Sequence, residues 1–241
     1  MSGHSKWNNI KHKKEKSDAA KAKIFTKIGK EMAVAIKAGG PDPNNNAKLR
    51  DLIAKAKANN VPNENIMRTI KKFTDNSDIN YEEITYEGYG PSGVAIIVET
   101  STDNRNRTAG NVRAWFNKYG GNLGQSGCVS YLFEEKGVIT ILDEDGEIDE
   151  DKIMEDALEC GAEDIKCEEG EFTIYTATDD LPAVRDAVIA LGYKIETADV
   201  AKVPSTYVEL TSEEDIENME KMLDKFNEDD DVNAVYTNWD N

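Results

Sequence analysis

The chain is short of the residues that most catalytic chemistry uses. Its 241 residues include two histidines and three cysteines, and aromatic residues make up 7%. Both histidines, His4 and His12, lie in one basic stretch with no cysteine beside them, so no zinc site assembles around them. Cys128, Cys160 and Cys167 form no CxxC pair, and an odd count argues against a disulfide framework. Cys160 and Cys167 fall at a predicted helix end and on a predicted strand, where small apolar filling is the simpler role. No apolar run exceeds five residues, Val94 to Val98 being one of the longest, whereas a membrane-spanning helix needs about 20. The opening Met-Ser-Gly-His-Ser-Lys-Trp lacks the apolar core of a secretory signal. The expectation is a reduced, cytoplasmic protein that neither enters a membrane nor holds a cofactor.

What is abundant is charge, and it is unevenly spread. The net charge is −18, yet residues 1–72 carry 17 Lys+Arg against 6 Asp+Glu, a net of +11. Residues 73–241 carry 12 basic against 41 acidic residues, a net of −29. A basic head on an acidic body suggests contact with nucleic acid or a charged surface through the head. The competing reading is that the head neutralises the body of the same molecule.

Residues 1–16 hold five lysines, one acid and only two large apolar residues, Trp7 and Ile10, and read as a mobile arm. Three helices follow, over about 18–38, 47–58 and 63–73. Their apolar stripes (Ile28, Met32 and Ile36; Leu49, Leu52 and Ala56; Ile66, Ile70 and Phe73) fit the 3.6-residue period. The string 74–80 reads as a linker. Beyond it, strands at 85–89 and 94–100 flank Gly90-Pro-Ser-Gly93, and Asp103 is expected to cap a helix running to Tyr119. A glycine-rich loop, 120–127, leads to a strand expected at 129–134. Residues 138–200 then repeat strand–helix–strand twice, a ferredoxin-like βαββαβ pattern. A last strand–helix–strand run after Pro204 is too small to stand alone and would complete the earlier sheet. The predicted class is α+β: a basic helical domain (1–78), a discontinuous α+β domain (79–134 with 204–241) and an inserted ferredoxin-like α+β domain (135–203), the two α+β domains both ferredoxin-like.

Two motifs carry less than they suggest. Gly88-x-Gly90-x-x-Gly93 matches a dinucleotide fingerprint in letters. That fingerprint must open a helix, and here the β-rich Val94–Val98 follows. The acidic string Asp143–Asp151 fails the EF-hand spacing, because Gly146 at position 6 would put Ile141 at position 1. No nucleophile and base pair is visible, so no enzymatic role is expected.

The features that remain are basic. Lys6, Lys11, Lys13, Lys14, Lys16, Lys21, Lys23, Lys27 and Lys30 place nine lysines in thirty residues. Lysines along an arm and helix can follow a line of phosphates, and each contact releases counterions. Trp7 can stack on an exposed base or pack against Ile10 and the helical core. In the body, Arg105, Arg107 and Arg113 lie within nine positions at a helix start, where backbone N–H groups also favour an anion. Phosphate binding and ion pairing to the acidic body are both open to these arginines. The candidate nucleic-acid-binding set is therefore Lys6, Trp7, Lys11, Lys13, Lys14, Lys16, Lys21, Lys23, Lys27, Arg105, Arg107 and Arg113.

Four strings in order, Ser2–Met32, Gly88–Glu99, Thr102–Arg113 and Gly120–Gly137, resemble the YebC/PmpR family over essentially the whole chain. The resemblance implies a three-domain cytoplasmic protein: a helical N-terminal domain and two α+β domains, one inserted in the other. It implies no enzymatic activity. Members of that family are described as probable DNA-binding transcriptional regulators. Others, a mitochondrial relative included, are ribosome-associated translational activators, and bacterial members are linked to relief of stalling at proline runs. Some members carry Ala or Ser at the position of Cys128, which argues against a redox role for it. Two functions follow as expectations: a DNA-binding transcriptional regulator, or a translation factor contacting ribosomal RNA. The acidic body leans toward the ribosome, since a charge of −29 is repelled by long duplex DNA. No strongly apolar surface helix asks for a partner, so a monomer is expected.

Overall fold

A computed structural model describes residues 18–75, 80–143, 146–168 and 170–240, with side chains from residue 22 onward. The chain forms two compact units. Among the described residues, one takes those up to Ser130 together with Leu210–Thr237, and the other takes Tyr131–Glu209 together with those from Asn238.

The first unit opens with three helices, α1 (Asp18–Gly39), α2 (Ala47–Ala58) and α3 (Asn63–Thr74). Their stripes meet as the 3.6-residue spacing requires: Ile28, Met32, Ala35, Ile36, Leu49, Leu52, Ala56 and Ile66 form one core. Asn46 joins α1 to α2 by accepting the Leu49 N–H at 3.1 Å and donating to the Ala35 and Gly40 carbonyls at 2.8 Å. A side chain that caps one helix and closes the end of another fixes the angle of the turn between them.

The same unit holds β1 (Glu82–Tyr89), β2 (Ala95–Thr102), α4 (Arg105–Lys118), β3 (Asn122–Leu123), a later helix Glu213–Glu228 and a later strand Val232–Thr237. The hairpin β1–β2 sits at the centre of a four-stranded antiparallel sheet, with β3 beside β1 and Val232–Thr237 beside β2. β2 is buried from Ala95 to Val98, and Val112, Phe116, Met219, Met222 and Phe226 are buried on the two helices. Gly88 is required here, because a Cβ would stand 2.5 Å from the Asn122 carbonyl oxygen and 2.9 Å from the Phe116 ring. The fingerprint-like string ends in a single 3-10 turn, Pro91–Gly93, between β1 and β2.

Two local details differ from the sequence expectation. The α4 cap is Asn104, whose side chain accepts the Arg107 N–H at 3.1 Å, while Asp103 takes the Arg107 guanidinium at 2.8 Å. The strand expected at 129–134 begins only at Phe133, the first residue of a longer strand to Leu142, and Ser130–Leu132 form a 3-10 turn instead. Glu87 explains this: its carboxylate accepts the N–H groups of Gly127, Val129 and Ser130 at 2.8–2.9 Å. Those donors are then unavailable to a sheet ladder, and residues 127–132 stay outside the sheet. Burial alone would raise the Glu87 pKa, but the three N–H groups outweigh it and hold the carboxyl below its ordinary value.

The second unit contains β4 (Phe133–Leu142), α5 (Glu150–Glu159), β5 (Asp164–Glu168), β6 (Glu171–Thr176), α6 (Leu181–Ala190) and β7 (Ile195–Pro204). Its antiparallel order β5-β6-β4-β7 is that of a ferredoxin-like βαββαβ unit. A short parallel pair, β8 (Val208–Glu209) with β10 (Trp239–Asp240), follows in the same unit. The helix Glu213–Glu228 is α7 and the strand Val232–Thr237 is β9. This unit runs a few residues past 135–203 at each end, because the Ser205 N–H and hydroxyl bond back to the Leu132 carbonyl at 2.8 and 3.1 Å.

One buried carboxylate ties the helical segment to the first sheet. Asp231, 4% exposed, accepts from Lys30 at 2.7 Å, Arg107 at 2.7 Å, Thr108 at 2.8 Å and Thr102 at 3.2 Å. Burial would raise its pKa, but the bonds from Lys30, Arg107 and Thr108 prevail and hold it down to about 2. Removing one partner of a buried pair costs about 3–5 kcal/mol, and the partial exposure of Arg107 points to the lower end. Asp231→Asn is expected to lower unfolding free energy at pH 7 by about 3 kcal/mol in urea titrations. A depressed carboxyl stabilises the fold above its unfolded pKa, about 4, and that stability is lost as pH falls toward 2. The gap between wild type and variant should therefore close as titrations move from pH 5 toward pH 2. A gap independent of pH would contradict the assignment.

Candidate nucleic-acid interface

Lys6, Trp7, Lys11, Lys13, Lys14 and Lys16 lie outside the described residues, and Lys21 is placed on α1 by its backbone only. Two lysines of α1, Lys27 and Lys30, turn toward the body. Lys27 donates to the Asn227 carbonyl at 2.9 Å, and Lys30 to the Asp230 carbonyl at 2.8 Å as well as to Asp231. These carbonyls lie at and just beyond the C-terminal end of α7, where orphan acceptors and the helix dipole favour a cation. Lys23, one turn earlier, is half-buried.

The three arginines do not form one cluster. At 100° per residue, Arg107 lies about 160° round α4 from Arg105, and Arg113 about 80°. Arg107 is held by Asp231 first and Asp103 second, which raises its pKa beyond the ordinary arginine value. Arg105 and Arg113 are exposed, with no ion pair among the described residues. A groove of about 830 Å³ is lined by Lys30, Arg107, Trp115, Lys118, Lys225 and the acidic run Glu228–Asp231, and of the three arginines it takes in Arg107 alone. Lys30 and Arg107 are matched there by Asp231, and Lys225 by Glu228 at 2.6 Å. This groove is charge-balanced rather than a cationic channel.

The open cations of the first unit are elsewhere. Arg50 and Lys57 on α2, and Arg68, Lys71 and Lys72 on α3, are exposed. Among the described residues no carboxylate pairs with Arg50, Lys57, Lys71 or Lys72. Arg68 meets Glu64 at 3.1 Å, but both side chains are more than 70% exposed, and such pairs contribute about 0–1 kcal/mol. Met67, 64% exposed, lies within the α3 row. The 3.6-residue period places Ile66, Ile70 and Phe73 inward. With those inward, helical geometry sends 67, 68 and 71 to solvent together. The α2–α3 turn, 59–62, is four residues long and includes Asn60 at φ 57°, a left-handed conformation that Asn adopts more readily than most residues.

Among the described residues no group of three or more His, Cys, Asp and Glu could hold a metal ion, and no helix is long and apolar enough to cross a membrane. Burial pushes up all three cysteine thiols, helped by Glu87 at Cys128, so they stay protonated near neutral pH.

Comparison with known proteins agrees over the whole chain. A family model described as the TACO1/YebC protein N-terminal domain matches residues 5–76, and one for the TACO1/YebC second and third domain matches 81–239. Proteins named "Probable transcriptional regulatory protein" from Acetivibrio thermocellus and Agathobacter rectalis are 55% and 56% identical over 240 and 241 residues. The alignments cover 99% of both chains in the first case and 100% in the second. The crystal structure of a conserved hypothetical protein from Aquifex aeolicus superposes with a TM-score of 0.81 at 44% identity, covering 92% of this chain and 91% of that one. A basic three-helix segment followed by two antiparallel-sheet units, together with these matches, places the chain in the TACO1/YebC family.

Proposed function

We propose that the protein is a nucleic-acid-binding regulator of gene expression, without catalytic activity, that holds phosphate through its basic N-terminal segment. The observation that carries this is the exposure of Arg50, Lys57, Lys71 and Lys72 on α2 and α3, with no carboxylate partner among the described residues, in a chain whose remainder is strongly acidic. Phosphate contacts of this kind give affinity and position without reading sequence. The relatives' name supports regulation. Two helices joined by a four-residue turn, with the Met67, Arg68 and Lys71 face of the second open to solvent, match the lengths of a helix-turn-helix and favour DNA as the target. The net charge of −29 over residues 73–241 favours the second reading, a ribosome-associated factor that touches RNA only at its basic part.

The salt dependence of binding tests the shared claim. Each phosphate contact contributes about 0.9 to the slope of log K against log salt on duplex DNA. The Lys57→Ala/Lys71→Ala/Lys72→Ala variant should flatten that slope by up to about 2.7. Its circular dichroism should match wild type, since these side chains are exposed. An unchanged slope would refute this surface. Replacing Lys11, Lys13, Lys14 and Lys16 by Ala should flatten it in the same sense. Gel shifts on promoter and random duplexes, beside co-sedimentation with ribosomes, separate the two readings. Tight binding to one promoter over random DNA selects the first. Weak, sequence-blind duplex binding with strong, salt-sensitive ribosome association selects the second.

A further inference from the structure

Both helices of the second unit lie on one face of its sheet. Ile153 and Ala157 of α5 and Val184 and Val188 of α6 share a core with Ile139 and Ile174. Strand alternation sends Lys136, Lys166 and Tyr175 to the opposite face, which carries neither helix. A cleft of about 270 Å³ opens there, lined by those three residues, Ser205, Tyr207 and neighbours. Tyr175 stands on β6, a central strand, and Tyr207 on the chain leaving β7. The Lys166 ammonium lies 5.0 Å from the Tyr207 ring centroid and 5.7 Å from that of Tyr175. It also donates to the Tyr207 hydroxyl at 3.3 Å. One flexible cation thus bridges two tyrosine rings on the sheet face that carries neither helix, Tyr175 buried at 5% exposure and Tyr207 half-buried and nearer the ammonium.

The rest of the cleft is charge-balanced. Lys136 reaches Glu163 at 3.1 Å and Glu134 at 3.7 Å, and Asp164 also lines the wall. Phosphate attraction alone would not fill such a site. Stacking would: aromatic rings on a sheet take unpaired bases through their π faces, and duplexes cannot offer those faces. The four-bond lysine stem lets Lys166 leave the rings and meet a phosphate beside the base.

We infer that this cleft binds an unpaired nucleobase of a single strand, stacked at Tyr207 beside Tyr175, with Lys166 turned to the adjoining phosphate. The partner class rests on the nucleic-acid reading above, but the site is separate from the α2–α3 cations. Binding here releases few counterions, so it should survive salt that abolishes binding through lysines alone.

The test uses the full chain and labelled ten-nucleotide oligo-U, oligo-dT and a ten-base-pair duplex, in anisotropy titrations at about 0.1 and 0.5 M KCl, where lysine–phosphate binding is steeply weakened. At the higher salt both single strands should bind more tightly than the duplex. Tyr207→Ala should weaken them about five- to hundredfold, while Tyr207→Phe, which keeps the ring, should stay near wild type. The α2–α3 triple variant should lose low-salt binding yet keep the high-salt single-strand affinity. Equal affinity of Tyr207→Ala and wild type at high salt, or no preference for single strands there, would overturn the inference. If that happened while the triple variant lost low-salt binding, the cleft would fail and the helical surface would stand.

Discussion

Asp231 decides how the cations of this protein are divided. A carboxylate shut away from water needs several donors to stay ionised, and it takes them from α1, from the start of α4 and from two threonines. Lys30 and Arg107 are bound by that need. Moving either to a phosphate would leave a buried charge short of partners. In the first unit, Arg50, Lys57, Lys71 and Lys72 of α2 and α3 and Arg105 and Arg113 of α4 are exposed, with no carboxylate partner among the described residues. The same contact explains why a basic helical segment and an acidic sheet belong to one compact unit. Part of the head neutralises the body, and part remains open.

Much of this was legible in the residues. The stripes of α1, α2 and α3 closed into the core their spacing required, and Asn46 capped as its type suggests. The βαββαβ pattern of the second unit came out in ferredoxin-like strand order. What was not legible depends on residues far apart in sequence. Counting lysines along α1 cannot show that Lys27 and Lys30 face the end of α7, some 200 positions later. Nothing local to 127–130 announces that Glu87 will take its N–H groups, so a β-rich string there reads as a strand. Arg105, Arg107 and Arg113 look like one patch in a line of text, and a 100° step separates them.

The two sheets serve different ends. The first is filled on its helical side by Phe116, Phe226 and two methionines, with Trp115 edge-on to Phe226 at 5.7 Å, and it gives the helical segment a rigid seat. The second keeps both helices on one side and leaves tyrosines and lysines on the other. A broad negative charge on both suits a protein that meets polyanion at chosen points rather than along its whole surface.

Lysine acetylation mapped by mass spectrometry, on the full chain alone and bound to nucleic acid, addresses the division of charge most directly. The account predicts that bound nucleic acid protects Lys57, Lys71 and Lys72 and leaves Lys152, Lys194 and Lys221 as reactive as before. Protection of the body lysines with the helical ones unchanged would contradict it.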